Sequence, residues 1–368
     1  MKRFECPNCS QPLFFESRAC DSCGRRLGYL PMARTFLAAP EGADEWRDGA
    51  GGVHRMCANA AFEACTWLVP PESDSRYCIA CRHNRFVPNL AFPENVARWR
   101  KIEAAKHRLF YSLLRLGLPL TSNLEARGGL AFDFLLEIDG APVMTGHQDG
   151  LITINILEAD DDARERQRNA LEEPYRTLLG HFRHEVAHYY WDQLLAAQPR
   201  AFRAVFGDER QDYAAALGAH YANGPPPDWS ERFVTPYAAA HPWEDFAETW
   251  AHYLHMVDTL ETAGAFGVSM RFPARRGKRI DATVRFDPYA KVRLETLIDS
   301  WLPLTYSINS INRSMGQPDL YPFAPSPAVV DKLAFVHSLI HGRAAEAGAT
   351  RRAAASSVRL RPANPAGA

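Results

Sequence analysis

The sequence predicts an α+β protein in two parts: a cysteine-rich N-terminal part, and a larger, mainly helical part that contains a small antiparallel or mixed sheet. Three observations support this fold class. All eight cysteines of the 368-residue chain precede residue 82. Two apolar runs between residues 131 and 157 adjoin Asp-Gly pairs, a pattern typical of strands and tight turns. Much of the remaining chain places its apolar residues at helical spacing.

The chain begins with two C-x-x-C pairs that are separated by ten residues. The four cysteines are Cys6, Cys9, Cys20 and Cys23. Each pair can bind one side of a tetrahedral metal ion through deprotonated thiolates. So short a segment needs the crosslink of a bound metal ion in order to fold. A redox pair is the weaker interpretation, because no βαβ pattern accompanies either motif. We therefore predict a zinc ribbon over residues 1–36, with one structural zinc ion.

A second group of cysteines follows a linker-like stretch rich in glycine. Its members are Cys57, Cys65, Cys78 and Cys81. Only the last two form a C-x-x-C pair, so His54 or His83 is an alternative to one of the thiolates. We predict a second cysteine-rich zinc module over residues 50–90, with a second structural zinc ion.

The charge balance argues against nucleic acid as a partner. Through residue 90 there are 11 Lys/Arg and 10 Asp/Glu, a difference of +1, and two four-thiolate zinc centres would each add about −2. The module is then net acidic, so we expect a structural or protein-contacting role. The sequence shows neither an apolar leader nor an apolar run that could span a bilayer, and we expect a cytoplasmic protein without a membrane partner.

One H-E-x-x-H motif lies in the middle of the chain. Residues four apart lie on one helix face, so His184 and His188 can direct two imidazole nitrogens at one zinc ion. Glu185 can still reach a water molecule held by that ion, which is the general-base position in metallopeptidases with this motif. Pro174 suits the first turn of a predicted helix over residues 174–197. The alternative is a buried amphipathic helix whose histidines are merely hydrogen-bonded.

A third zinc ligand is expected from a second helix. The class with a third histidine just after the motif, the metzincins, is excluded because Trp191 and Leu194 occupy the required positions. Further along, Pro242 suits the first turn of a helix that places Glu244 and Glu248 on one face. We predict Glu244 as the zinc ligand, and Glu248 as the acceptor of the second N–H of a ligating histidine.

H-E-x-x-H followed by E-x-x-x-E resembles the gluzincin metallopeptidases, and the run from Tyr237 to Glu248 is similar to the corresponding region of the anthrax lethal factor group. In that group a tyrosine seven residues before the glutamate ligand stabilises the oxyanion, which implies this role for Tyr237. His241, which we otherwise place beside the ligands, is the competing donor. Residues 1–342 resemble a bacterial family of zinc-binding metallopeptidases with an N-terminal zinc ribbon. That resemblance implies a zincin-like metallopeptidase domain over residues 91–342.

Two strands are predicted ahead of the motif, at residues 131–138 and 151–157, each next to an Asp-Gly turn. Zincin sheets have an edge strand that lines the cleft, and we predict residues 151–157 for that edge, where an extended peptide could add as a further strand. An ordinary internal strand is the alternative.

Helices are predicted at residues 98–116, at 160–172, and at two places between 288 and 342. The last 26 residues, 343–368, are rich in Ala, Arg, Pro and Ser and carry no apolar stripe. We predict that this tail is disordered.

These features together predict a zinc-dependent peptidase that acts on a peptide or protein substrate, with Glu185 as the general base and three zinc ions, of which one is catalytic and two are structural. The alternative is a catalytically silent zincin scaffold that binds a protein partner through its zinc ribbons. A DNA-contacting regulator is disfavoured by the charge balance. The substrate, endo- or exopeptidase action, oligomeric state and any cover of the cleft by the ribbons stay open at this point.

Overall fold

Strands dominate the first ninety residues, and helices dominate the rest. The computed structural model describes residues 1–136, 141, 143–170, 177–195, 199–273 and 279–342. The strands are β1 (Phe4–Glu5), β2 (Pro12–Leu13), β3 (Arg26–Leu30), β4 (Thr35–Ala39), β5 (Trp46–Arg47), β6 (Val53–Met56), β7 (Leu68–Val69), β8 (Asn84–Phe86), β9 (Ala131–Leu135), β10 (Gly146–Gln148), β11 (Leu151–Asn155), β12 (Ser269–Pro273) and β13 (Arg279–Thr283). The helices are α1 (Pro93–Arg115), α2 (Asp161–Ala170), α3 (Leu178–Leu194), α4 (Pro199–Phe206), α5 (Tyr213–Asn223), α6 (Trp229–Arg232), α7 (Pro242–Ala265), α8 (Leu294–Ser314) and α9 (Pro327–Ile340). The predicted α+β class is confirmed.

Aromatic side chains form the core of the N-terminal part. Phe15 and Tyr29 are buried and meet edge to face, with ring centroids 5.0 Å apart. In β3, a Cβ atom at Gly28 would lie 2.5 Å from Leu68 Cδ2, so glycine is what allows β7 to approach this closely. Phe15 also contacts Tyr111 of α1, at a centroid distance of 5.6 Å. The core of the N-terminal part therefore continues into the helical part.

The sheet of the helical part has four strands in the order β10-β11-β9-β8. β9 runs parallel to both of its neighbours, and β10 runs antiparallel to β11, so the sheet is mixed. Asp149 and Gly150 form the predicted turn between β10 and β11, with φ angles of 49° and 83° that suit a tight hairpin. The other predicted turn, at Asp139 and Gly140, lies outside the described residues.

The predicted position of the edge strand is wrong. Residues 151–157 were predicted as the edge, but β11 lies between β9 and β10, and the edge strands of this sheet are β10 and β8. Ile152 and Ile154 of β11 are fully buried, as expected for an internal strand. The edge was missed because the three residues of β10, Gly-His-Gln, contain no β-branched or apolar side chain.

The helix that carries H-E-x-x-H, α3, has a capped N-terminus. The Thr177 hydroxyl accepts a hydrogen bond from the backbone N–H of Gly180 at 3.0 Å, which satisfies a donor of the first turn. The helix begins at Leu178, after an extended Thr177, so the predicted start at Pro174 is wrong; Pro174 itself lies outside the described residues. Phe182 of α3 is fully buried against aromatic side chains of β9, and this contact sets which face of the helix turns away from the sheet.

α7 begins at the predicted Pro242 and is buried along most of its length. Arg183 of α3 lies 2.7 Å from Asp258 Oδ2 and 2.6 Å from His255 Nδ1, both on α7. The amino group of Met1 lies 2.9 Å from the other carboxylate oxygen of Asp258. These buried contacts join α7 to α3 and to the N-terminal part, so the two helices with predicted zinc ligands are held in one relative position.

A continuous apolar core joins the ribbon strands, α1, α3, α7 and the C-terminal helices α8 and α9. The predicted domain boundaries within it stay predictions. The predicted disordered tail, 343–368, lies outside the described residues. Within the part of the chain that the structure describes, the helices lack the combination of length and apolar character needed to cross a membrane.

Candidate metal centre and cleft

Three side chains from two helices converge at the H-E-x-x-H motif. His184 and His188 are one turn apart on α3, and Glu244 stands in the first turn of α7. The two Nε2 atoms are 3.3 Å apart. Glu244 Oε2 lies 2.9 Å from His184 Nε2, and Oε1 lies 3.7 Å from His188 Nε2. Tetrahedral zinc, with bonds of about 2.0–2.1 Å, separates its ligand atoms by ~3.4 Å. One ligand atom from each of the three side chains lies within 4.8 Å of the others, so the three can share one metal ion.

Glu244 carries a buried oxygen that suits a cation. The residue is 1 % exposed, and within the described part of the chain its Oε2 has no hydrogen-bond partner, although His184 Nε2 is 2.9 Å away. Burial pushes the pKa of this carboxyl upward, but the adjacent His188 and His184 hold it below its usual range. A buried anionic oxygen without a donor is costly unless a cation binds it. The residues present therefore fit a divalent metal ion.

The two histidines are held in different ways. His184 Nδ1 lies 2.7 Å from Glu248 Oε1, and Glu248 Oε2 accepts a hydrogen bond from the Thr235 hydroxyl at 2.7 Å. A carboxylate on the second ring nitrogen is the usual support of a metal-binding imidazole. Burial lowers the pKa of His188 to about 4, so its ring is neutral near pH 7 and can offer a lone pair. The ring of His147, on β10, stacks on His188 at a centroid distance of 6.0 Å.

Tyr213 contacts the centre and was not identified from the sequence. Its hydroxyl donates a hydrogen bond to Glu244 Oε1 at 2.8 Å. Tyr213 is the first residue of α5, and none of the eleven residues of that helix, all of them described, is buried, so no apolar periodicity marks it. The local signal is Asp212, which caps α5 by accepting a hydrogen bond from the Ala215 N–H at 2.9 Å. Tyr213 occupies one oxygen of Glu244 and leaves the other for a metal ion.

Tyr213→Phe is expected to weaken zinc binding at this centre by about 10-fold or more, because Glu244 loses the donor that orients it. The measurement is the zinc dissociation constant from competition with a chelator. Tyr221→Phe, at another tyrosine of the same helix, is the matched control. An unchanged constant in Tyr213→Phe would show that α7 alone positions Glu244.

A cavity of about 710 Å³ opens beside His184, and both Glu185 and Tyr237 line it. Glu185 is buried, and burial raises its pKa to about 7. Tyr237 lies in a 3₁₀ turn, Tyr237–Ala239, just before α7, with its ring centroid 6.0 Å from that of His184. Burial raises the pKa of Tyr237 above its usual range, so the hydroxyl remains a donor. The predicted base and the predicted oxyanion donor thus share one cavity.

His241 has a different position from Tyr237. Its Nδ1 accepts a hydrogen bond from the backbone N–H of Trp243 at 3.1 Å, which caps α7, and its Nε2 lies 3.3 Å from the carbonyl oxygen of Gln211. It is absent from the described residues that line the cavity. His252 and His255, further along α7, do line it.

Each of the two predicted cysteine groups is a compact cluster. Zinc with bonds of about 2.3 Å to four sulfurs separates the sulfurs by ~3.8 Å. The sulfur pairs observed at comparable distances are Cys9–Cys20 at 3.5 Å, Cys6–Cys23 at 3.7 Å and Cys65–Cys78 at 3.7 Å. Both clusters fit zinc in this respect.

His54 and His83, the alternative ligands for the second cluster, are engaged elsewhere. His54 Nε2 lies 2.8 Å from Asp48 Oδ2, and His83 Nδ1 lies 2.8 Å from the carbonyl oxygen of Ile79. The imidazole that reaches this cluster belongs to His107 of α1, whose Nε2 is 3.2 Å from the nearest sulfur. The sequence did not indicate it, because His107 lies 26 residues beyond the last cysteine.

The α+β fold holds two cysteine clusters and a two-helix centre, each with donors that could bind a zinc ion. Residues 95–339 match the family model described as "Putative zinc-binding metallo-peptidase", and residues 3–92 match a zinc-ribbon domain. The first match spans more than half of the chain, and the chain belongs to that metallopeptidase family.

Mycobacterial proteins are similar to this chain over nearly its whole length. They are uncharacterized proteins of Mycobacterium bovis and of two strains of Mycobacterium tuberculosis, CDC 1551 and H37Rv. Each is 41 % identical over 344 residues, which cover 92 % of this chain and 95 % of the relative. No solved structure matches the chain.

Proposed function

We propose that this protein is a zinc-dependent peptidase of the gluzincin type, in which His184, His188 and Glu244 hold the catalytic zinc ion. The observation that carries the proposal is that Glu185 and Tyr237 line the same cavity as His184. A purely structural zinc site needs neither a carboxylate beside its ligands nor a phenol facing them. This favours an enzyme over the silent scaffold.

A bound zinc ion would polarise the scissile carbonyl and lower the pKa of a water molecule toward about 7. Glu185 takes the proton from the attacking water and passes it to the leaving amine. Glu248 holds His184 through its Nδ1–H, and Tyr213 holds Glu244 through Oε1. These two hydrogen bonds keep the ligands in place while charge builds up in the cleft.

Tyr237 donates a hydrogen bond to the oxyanion that forms from the substrate carbonyl. The likeness to the lethal factor group supports this assignment, because Tyr237 stands seven residues before Glu244. His241 is the less suitable donor, since one of its ring nitrogens caps α7 and the other lies against a backbone carbonyl. We assign His241 to the support of the helix end that carries Glu244.

The substrate we propose is an extended segment of a peptide or protein. β10 pairs with β11 alone among the described strands, so its other edge is available for backbone hydrogen bonds. Its His147 stacks on His188, and Thr145, just before the strand, lines the cavity. A peptide added along β10 would therefore pass the metal centre. The cysteine clusters would each hold one structural zinc ion and offer a surface to a protein partner.

The test is digestion of a peptide library by the full chain, read by mass spectrometry. Cleavage is expected to stop when zinc is removed and to return when zinc is added back. On a peptide found in this way, Tyr237→Phe is expected to lower kcat by about 10²–10³-fold with zinc content unchanged. Tyr306→Phe, at an exposed tyrosine of α8, is the matched control. A zinc-loaded chain that cleaves nothing in the library would refute the proposed peptidase activity and would favour the catalytically silent scaffold.

A further inference from the structure

The second cysteine cluster has more candidate donors than a tetrahedral zinc ion can bind. Four buried sulfurs lie within 4.8 Å of one another, and they belong to Cys57, Cys65, Cys78 and Cys81. His107, from α1 of the helical part, places a ring nitrogen beside the same sulfurs. Zinc in structural sites almost always takes four ligands. A tetrahedral ion bound here could use only four of these five donors.

The distances from His107 match those of a ligand. Its Nε2 atom is 3.2 Å from Cys65 Sγ, 3.7 Å from Cys81 Sγ and 3.9 Å from Cys78 Sγ. In a zinc site with three cysteines and one histidine, the nitrogen and each sulfur are ~3.6 Å apart. The three sulfurs form a common face, and the tetrahedron over that face can be completed by the nitrogen or by the sulfur of Cys57.

The ring of His107 is oriented for binding. Its Nδ1 lies 2.6 Å from the backbone carbonyl oxygen of Glu103, which can only accept, so Nδ1 carries a proton. Nε2 is the ring nitrogen that faces the sulfurs, and a metal-binding histidine commonly has its other N–H on a carbonyl in this way. The ring also meets Trp67 edge to face, with centroids 4.9 Å apart. His107 is thus held in the orientation that a ligand requires.

The nearby carboxylate of Glu103 does not compete. It is fully buried, and its Oε1 accepts hydrogen bonds from Asn84 Nδ2 at 2.7 Å and from Lys106 Nζ at 2.9 Å. Its Oε2 lies 3.6 Å from Cys81 Sγ, and Glu103 forms a further candidate metal-binding group with Cys81 and His107. We exclude Glu103 as a ligand because its charge is already paired with a buried ammonium group.

We propose that the second metal centre is a five-donor site to which both the N-terminal part and the helical part contribute ligands. Cys65, Cys78 and Cys81 bind zinc together with either Cys57 or His107 as the fourth ligand. The centre therefore tolerates the loss of Cys57 but not the loss of a shared cysteine. Zinc bound through His107 also links α1 directly to the N-terminal part, in addition to the apolar contacts between them.

The test counts zinc per chain by native mass spectrometry in full-length variants. Cys57→Ser and His107→Gln are each expected to keep the zinc count of the parent chain, whereas the double variant loses one zinc ion. Cys65→Ser, which removes a sulfur of the common face, is the matched control and is expected to lose one zinc ion alone. Loss of zinc from Cys57→Ser to the same extent as from Cys65→Ser would overturn the proposal, and so would a double variant that keeps the full count.

A second measurement leaves all cysteines in place, in case Cys57→Ser does not fold. Zinc release from His107→Gln into excess chelator is followed over time and compared with release from the parent chain. Release from the second centre is expected to be about 10-fold faster, since the spare ligand that recaptures the ion is gone. Equal release rates would overturn the proposal. Both readouts are independent of peptidase activity, so they remain valid if the proposed function fails.

Discussion

Glu185→Gln is expected to keep zinc bound and to lower kcat for peptide hydrolysis by about 10²–10⁴-fold. Glutamine has nearly the same size and shape as glutamate, and the contacts between His184, His188 and Glu244 do not involve Glu185. The change removes the group that accepts the proton of the attacking water. The measurement is kcat at saturating peptide, together with the zinc content of the same preparation.

The matched control is Glu295→Gln, which neutralises an exposed carboxylate in the first turn of α8. It tests whether loss of one negative charge alone affects turnover, and we expect kcat to stay within a factor of two. A Glu185→Gln variant that cleaves as fast as the parent chain would show that another group is the base. Loss of zinc from that variant would show instead that Glu185 supports the metal centre.

Cys20→Ser is expected to release the zinc ion of the first cysteine cluster and to lower the free energy of unfolding by more than about 4 kcal/mol. Cys20 is 1 % exposed, and its sulfur lies 3.5 Å from that of Cys9. Without the metal ion, the short strands around the cluster have few hydrogen bonds of their own. Because Phe15 packs on Tyr111 of α1, the helical part loses support as well. The measurement is denaturant unfolding with zinc counted before and after.

Ser22→Ala is the control for this experiment, since it changes an exposed side chain in the same loop. It should unfold like the parent chain. If Cys20→Ser loses its zinc ion and the helical part still unfolds at the denaturant concentration of the parent chain, the ribbon is an independent unit. The continuous apolar core would then contribute little to the coupling between the parts.

The centre on α3 and α7 could be proposed from the sequence because each of its two helical segments is recognisable from a pattern a few residues long. The four-residue spacing of His184 and His188 places them on one helix face, and Pro242 marks the start of a helix two residues before Glu244. The prediction that these two segments meet in the folded chain rested on the resemblance to known metallopeptidases. In the structure the contact of Arg183 with Asp258 is among those that hold the helices together. The roles of these residues in catalysis stay predictions.

Tyr213, His107 and β10 had no comparable signal. Tyr213 meets Glu244 across 31 residues, and His107 meets Cys81 across 26. Neither pair follows a helix or strand period, because the two members belong to different elements. β10 is recognisable by its pairing with β11 and not by its composition. Each was therefore found only in the folded chain.

Local patterns in this chain were sufficient for its fold class, its two cysteine clusters and the residue types of the H-E-x-x-H centre. Helix periodicity, capping and C-x-x-C spacing act over a few residues and need no knowledge of packing. Packing decided which strand forms the edge, which tyrosine holds Glu244 and which histidine reaches the second cluster. Those contacts join residues far apart in the chain, and their geometry is set by the shared core that forms when the elements pack together.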